Sequence, residues 1–253
     1  MERIPSLRPR EHGATAQVLV CLGACLLAGP FQTGALLPAG LLALAVLLAF
    51  LSAEPLLVLA GFRGEATRQA LATAARRRLI VLGLPAAASL GAALVLRPDL
   101  APALLLPALP AGLLALRFAR QGVYGATSES LAALAMATLA FPLRRAAGMD
   151  VASAGVFTGL LALLYLHATV SVRLLLRSRG VQRPWLGRLP IPGLALLAAG
   201  LIGLFHPEHV WPLLPACVGG GVLLVAPPTR LKTLGWLLAA QTTAGALLLA
   251  AFS

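Results

Sequence analysis

The sequence predicts an all-α, polytopic transmembrane helical bundle of about nine helices, with the N-terminus cytoplasmic and the C-terminus outside. Three observations carry this. Of 253 residues, 59% are hydrophobic and only 11% are charged, and the mean hydropathy is +0.91, outside the range of water-soluble domains. The charges gather in short clusters between apolar runs long enough to cross a hydrocarbon core of about 30 Å, which takes roughly 20 helical residues. Runs such as ALLPAGLLALAVLLAFLSA also lack the alternation of a barrel strand, which has one lipid face and one lumen face.

Hydropathy places the spans near residues 15–29, 35–61, 79–96, 100–116, 127–143, 151–172, 189–205, 210–226 and 234–252. The fourth carries Pro102, Pro107 and Pro110, and the fifth is short and alanine-rich. Basic residues test this order independently, because cytoplasmic loops are enriched in Lys and Arg. With the N-terminus inside, every Lys and Arg falls on the cytoplasmic side except Arg97, Arg144 and Arg145. The net charge of +12 is thus a topology signal. Arginines spread over loops between spans do not form a nucleic-acid surface, so the expected partner is the lipid bilayer.

Residues 1–253 form one integral membrane domain. Its longest polar segments, 62–78 and 173–188, are too short to fold alone. They suit helices or loops on the cytoplasmic leaflet, where their arginines meet anionic lipid heads. Cys21, Cys25 and Cys217 sit within predicted spans without metal-type spacing, which makes them packing residues. The basic N-terminus resembles that of a signal peptide, but with further spans following, the first reads as a retained helix. No repeat of fixed period is visible, and oligomeric state is left open.

The acidic residues number eight, few enough to take singly. Glu2 lies in the tail. Glu11, Glu65, Asp99, Glu129, Asp150 and Glu208 lie near predicted helix starts, where free amides and the helix dipole favour negative charge. Glu54, in LAFLSAEPLLVLAGF, is different. It lies toward the C-terminal half of the second span, where the dipole opposes it. There it must be protonated, paired with arginine, or facing water; the plainer alternative is an interfacial turn at AEP.

The first span opens with REHGATAQ. Glu11, His12 and Thr15 share its first turn as a polar cap. On the next row Gly13, Gln17, Cys21, Cys25 and Gly29 recur at steps of four, a narrow stripe that lets a second helix approach closely or lines a cavity. In the sixth span YLHATVSVR places Tyr165, Thr169 and Arg173 on one row and His167 with Ser171 on another. Arg173 is a partner for Glu54 or Glu129, or else snorkels to the headgroups. His167 is a packing histidine or, with His12, one half of a haem clamp whose separation nothing fixes. No cofactor is predicted, and no metal site.

The order PREHGATAQVLVCLGACLLAG, LLAFLSAEPLLVLAGFRG, TSESLAALA, HATVSVRLLLRSR and PPTRLKTLGWLLAAQTTAGALLL resembles the YwiC-like family of bacterial integral membrane proteins. The resemblance covers nearly the whole chain. It implies a multi-pass protein of the bacterial cytoplasmic membrane and supplies no reaction. The helix count also resembles UbiA-type prenyltransferases at the level of architecture alone. Their chemistry needs magnesium held by acidic clusters after helices two and six. Here the first loop offers Glu54 and Glu65, and residues 173–188 contain no acid, which disfavours that route.

The expectation is a helical cavity open to the cytoplasmic leaflet and rimmed by Glu11, His12, Glu54, Arg117, Glu129, His167, Arg173 and Lys232. A charged and imidazole rim over an apolar interior suits a lipid-soluble small molecule, quinone-like or isoprenoid-like, bound or modified there. A proton-coupled transporter using Glu54 and His12, or an accessory subunit of a membrane complex, are the other readings. Catalytic residues are not identified: no Ser-His-Asp order, HExxH or phosphate loop is present. The short connection 30–34 further predicts that the first two helices are antiparallel neighbours, with Glu54 meeting His12, Arg173 or Lys232.

Overall fold

The computed structural model of the chain describes residues 12–28, 32, 34–121, 126–178, 186–205, 207–225 and 231–252. Among them the secondary structure is helical, without strands: α1 (His12–Leu27), α2 (Leu36–Leu59), α3 (Glu65–Leu96), α4 (Leu100–Ala103), α5 (Leu105–Gln121), α6 (Ala126–Thr138), α7 (Ala140–Ala146), α8 (Val151–Ser178), α9 (Pro190–Phe205), α10 (Leu214–Val225) and α11 (Leu231–Ala251). Two single 3-10 turns, Pro207–His209 and Trp211–Leu213, lead into α10.

Each predicted span falls on helix, but not every span is one long helix. Among the described residues, six stretches are long and apolar enough to cross a membrane: Leu36–Leu59, Glu65–Leu96, Leu100–Arg120, Val151–Ser178, Leu186–Leu204 and Thr233–Ala251. The chain is a multi-pass membrane protein on that ground. Thr15–Leu27 and Trp211–Val225 are apolar but shorter. The fifth predicted span is broken at Leu139. Proline explains the breaks, since it cannot donate to the carbonyl four residues back and its ring clashes there. Pro107 faces Ala103, the last residue of α4; Pro142 faces Thr138, the last residue of α6.

Within segment 62–78, residues from Glu65 onward are helical and continue into the 32-residue helix α3, about 48 Å long. EATRQALATAARRR contains strong helix formers and neither Gly nor Pro, so nothing stops the helix at the interface. The excess over a hydrocarbon core of about 30 Å is near the length of this arginine-rich part.

The core is built on α8. Phe157, Leu161, Leu164 and Tyr165 are buried against small residues of the other central helices, including Cys21, Cys25, Ala133, Ala137 and Ala246. Within the expected stripe on α1, Cys21 and Cys25 pack, both being buried, and the Tyr165 hydroxyl donates to the Gln17 carbonyl, while the Gln17 side chain lines a cavity and Gly29 lies outside the described residues. Helix α1 lies chiefly against α11, α6 and α7 and touches α2 only slightly. The hairpin of α2 and α3 packs onto the rest through α2. Large apolar side chains face outward instead, among them Leu84, Val95, Leu105 and Leu204. On a soluble protein this would be an aggregation surface; here it is a lipid-facing one.

The glycines of α10 show how close the helices come. A Cβ at Gly220 would lie 3.0 Å from the Pro192 Cα of α9, and one at Gly219 would meet the Gln241 side chain of α11. Gly219 and Gly220 are thus close packing, as expected from their position inside a predicted span, whereas a Cβ at Gly221 would meet nothing within 4 Å.

Candidate functional site: an ion-paired cleft at the arginine-rich end

Alternating helix directions sort the charges to two ends. At one end Arg97 pairs with Asp99 through both oxygens at 2.8 Å, and Arg145 approaches the same carboxylate at 3.7 Å. The Arg97 guanidinium holds the Asp99 carboxyl below its ordinary value. Arg144 is buried, donating to the Cys25 and Ala28 carbonyls at the end of α1 and lying 5.2 Å above the Phe157 ring. It caps that helix with positive charge, where the dipole favours it. All three arginines that break the loop-charge rule thus have structural partners. Asp150 at the start of α8 accepts from the Ser153 amide at 3.0 Å, which lowers its pKa.

At the opposite end α1, α6 and α11 begin and α8 finishes. Glu129, in the first turn of α6, meets Arg173 of α8 through both oxygens at 2.8 Å. This is one of the two partners the sequence offers for Arg173. Arg117, near the end of α5, donates to Ser128 at 3.1 Å beside it. Directly inside Glu129 lies a cleft of about 240 Å³ between α1, α6, α8 and α11. Its walls are mostly Ala, Val, Leu and Gly, with Gln17, Thr169 and Thr242 as the other polar side chains. Both threonine hydroxyls donate to their own helices, to the Tyr165 carbonyl at 2.9 Å and the Leu238 carbonyl at 2.8 Å. Their lone pairs remain able to accept.

The single rim expected from the sequence resolves into separate places. Glu54 is buried, but it does not line this cleft, and the expected partner Arg173 is paired with Glu129 instead. Its oxygens accept from Arg63 Nε at 2.9 Å and Nη2 at 2.7 Å. The turn between α2 and α3 makes this possible: Gly61 and Gly64 have φ of 81° and 90°, values that glycine adopts readily, and the chain reverses around Arg63. The pair is local, within the α2–α3 hairpin, and α1 touches α2 less than their short connection predicts. Glu54 is therefore an arginine-paired carboxylate, one of the states its placement allows.

His167 faces away from the cleft, into a groove on the other side of α8. Thr169 lines the cleft and Arg173 pairs at its rim, while His167 does not, as the two rows read from YLHATVSVR require. Glu11 lies outside the described residues, and of His12 and Lys232 only the backbone is described. Among the described residues no group of three or more His, Cys, Asp or Glu side chains is placed to hold a metal ion. Sequence reasoning missed Thr242 and Arg63. QTTAG in the last helix is a polar break in an apolar run and was the available signal for Thr242. Comparison of the chain with known protein families, with curated proteins and with solved structures finds no match.

Proposed function

We propose that this protein binds or modifies a lipid-soluble small molecule, quinone-like or isoprenoid-like, in the cleft between α1, α6, α8 and α11. The observation that carries the reading is the joining of an apolar cleft to the Glu129–Arg173 ion pair at its rim. A cavity of about 240 Å³ takes the head of an amphiphile and leaves a tail to the helices or the bilayer. Glu129 is half-exposed, so the pair can open toward a polar head at modest cost. The reading includes nine spans, a cytoplasmic N-terminus that sets this end toward the cytoplasmic leaflet, a place in the bacterial cytoplasmic membrane and membership of the YwiC-like family. These last rest on the sequence motifs and the arginine distribution.

Proton-coupled transport is the weaker reading. Of its two candidate carriers, Glu54 and His12, Glu54 is engaged by Arg63 through both oxygens at the α2–α3 turn and does not line the cleft. The test is photo-crosslinking in native membranes with a benzophenone side chain at Ala239, which lines the cleft. The expected adduct is one lipid-soluble species distinct from bulk phospholipid, diminished by Arg173→Leu. Adducts with phospholipid alone would refute the reading.

A further inference from the structure

On the far side of α8 lies a second void, a groove of about 480 Å³ shared with α9 and the segment entering α10. Its size falls in the range of about 300–1,000 Å³ typical of small-molecule sites. Leu194, Leu197 and Leu201 of α9 form its outer wall and are 46%, 60% and 52% exposed, so the groove opens sideways to lipid. Leu213 and Ala216 form its buried floor. Among the described residues lining it, His167 is the one polar side chain.

His167 is 9% exposed, and its Nε2 has no hydrogen-bond partner among the described residues. A buried polar atom left unpaired costs about 1–3 kcal/mol, and such atoms in folded proteins call for an explanation. An imidazole nitrogen donates in one tautomer and accepts in the other, so it can meet a hydroxyl or a carbonyl. Depth narrows the choice. Arg173 follows six residues later, about 9 Å further along the helix axis, at the level where it meets Glu129. A headgroup reaching His167 must leave that charged layer, and among the described residues no charged side chain lines the groove to receive a phosphate.

We infer that this groove holds a long-chain lipid bearing one neutral oxygen, an alcohol or a carbonyl, hydrogen-bonded to His167 Nε2. The site is separate from the Glu129 cleft and does not depend on what the cleft binds. The outward leucines take the tail, and the imidazole selects the head.

The full-length protein in lipid nanodiscs is equilibrated with isotope-labelled hexadecanol, and retention above protein-free nanodiscs is measured. Saturable retention is expected. His167→Leu should weaken it at least tenfold while leaving the unfolding temperature unchanged or raised, because leucine removes the unpaired nitrogen without emptying the space. Ala198→Phe, which fills the groove, should abolish retention with His167 in place, whereas Glu129→Gln should not alter it. Hexadecyl phosphate should be retained no better than by protein-free nanodiscs. The inference is overturned by absent saturation, by retention that survives both groove substitutions, by phosphate binding as tight as the alcohol's, or by a lowered unfolding temperature in His167→Leu.

Discussion

Replacing Glu54 by alanine leaves the Arg63 guanidinium buried without its carboxylate. The two side chains are 6% and 8% exposed and meet at 2.7 and 2.9 Å. Loss of one partner from a buried pair of this kind costs about 3–5 kcal/mol, against about 0–1 kcal/mol for an exposed pair. The assay is a double-mutant cycle of Glu54→Ala and Arg63→Ala by reversible unfolding in mixed micelles. Each single change should destabilise strongly, and the double mutant should lose less than their sum by about 1–3 kcal/mol. The cycle cancels every other interaction either side chain makes. Additivity within about 0.5 kcal/mol would refute the pairing. A parallel cycle on Glu129 and Arg173 calibrates it: Glu129 is 51% exposed, so coupling should stay below about 1 kcal/mol.

Neighbouring glycines in α10 should differ. Gly220→Ala drives a Cβ to 3.0 Å from the Pro192 Cα, a backbone atom that cannot turn aside, and should cost about 1–3 kcal/mol; Gly221→Ala meets nothing within 4 Å and should be neutral or stabilising by up to about 1 kcal/mol. Asp99 titrates below its ordinary value of 3.8, chiefly through its hydrogen bonds from Arg97. Its contribution is therefore complete above the unfolded pKa of about 3.9 and lost as pH falls through the lower folded value; Asp99→Asn should remove that part of the acid dependence in unfolding measured below about pH 5. Cys21 and Cys25, each 1% exposed, should resist maleimide in the folded protein and react once it is denatured.

Much of this architecture is legible in composition. Apolar length located the helices, and the arginine distribution separated the two ends. Prolines 107 and 142 marked where spans break, although the sequence alone read each as one segment. The error at Glu54 has a definite origin: a short connection fixes that α1 and α2 run in opposite directions, not that they pack together. Helix α1 lies instead against α11, a contact from the far end of the chain that hydropathy cannot reveal. The partner of Glu54 was close at hand, in GFRG, and needed the two positive-φ glycines to come within reach. Row analysis of α8 did separate His167 from Thr169 and Arg173, because helical periodicity is local. Which row faced a polar cleft and which a lipid groove depended on neighbours the row does not contain.

The cleft between α1, α6, α8 and α11 can be closed with one side chain. Gly235 lines it, and a Cβ added there would meet nothing within 4 Å, so Gly235→Leu starts its side chain in open space at the cleft and favours the helix by up to about 1 kcal/mol. Native mass spectrometry of wild type and Gly235→Leu, released from the same membrane nanodiscs, then compares the bound mass directly. The wild-type protein should carry a lipid-soluble species other than phospholipid, and Gly235→Leu should be equally folded and free of it. An identical bound mass on both proteins, or phospholipid alone on the wild type, would contradict the assignment of this cleft as the binding site.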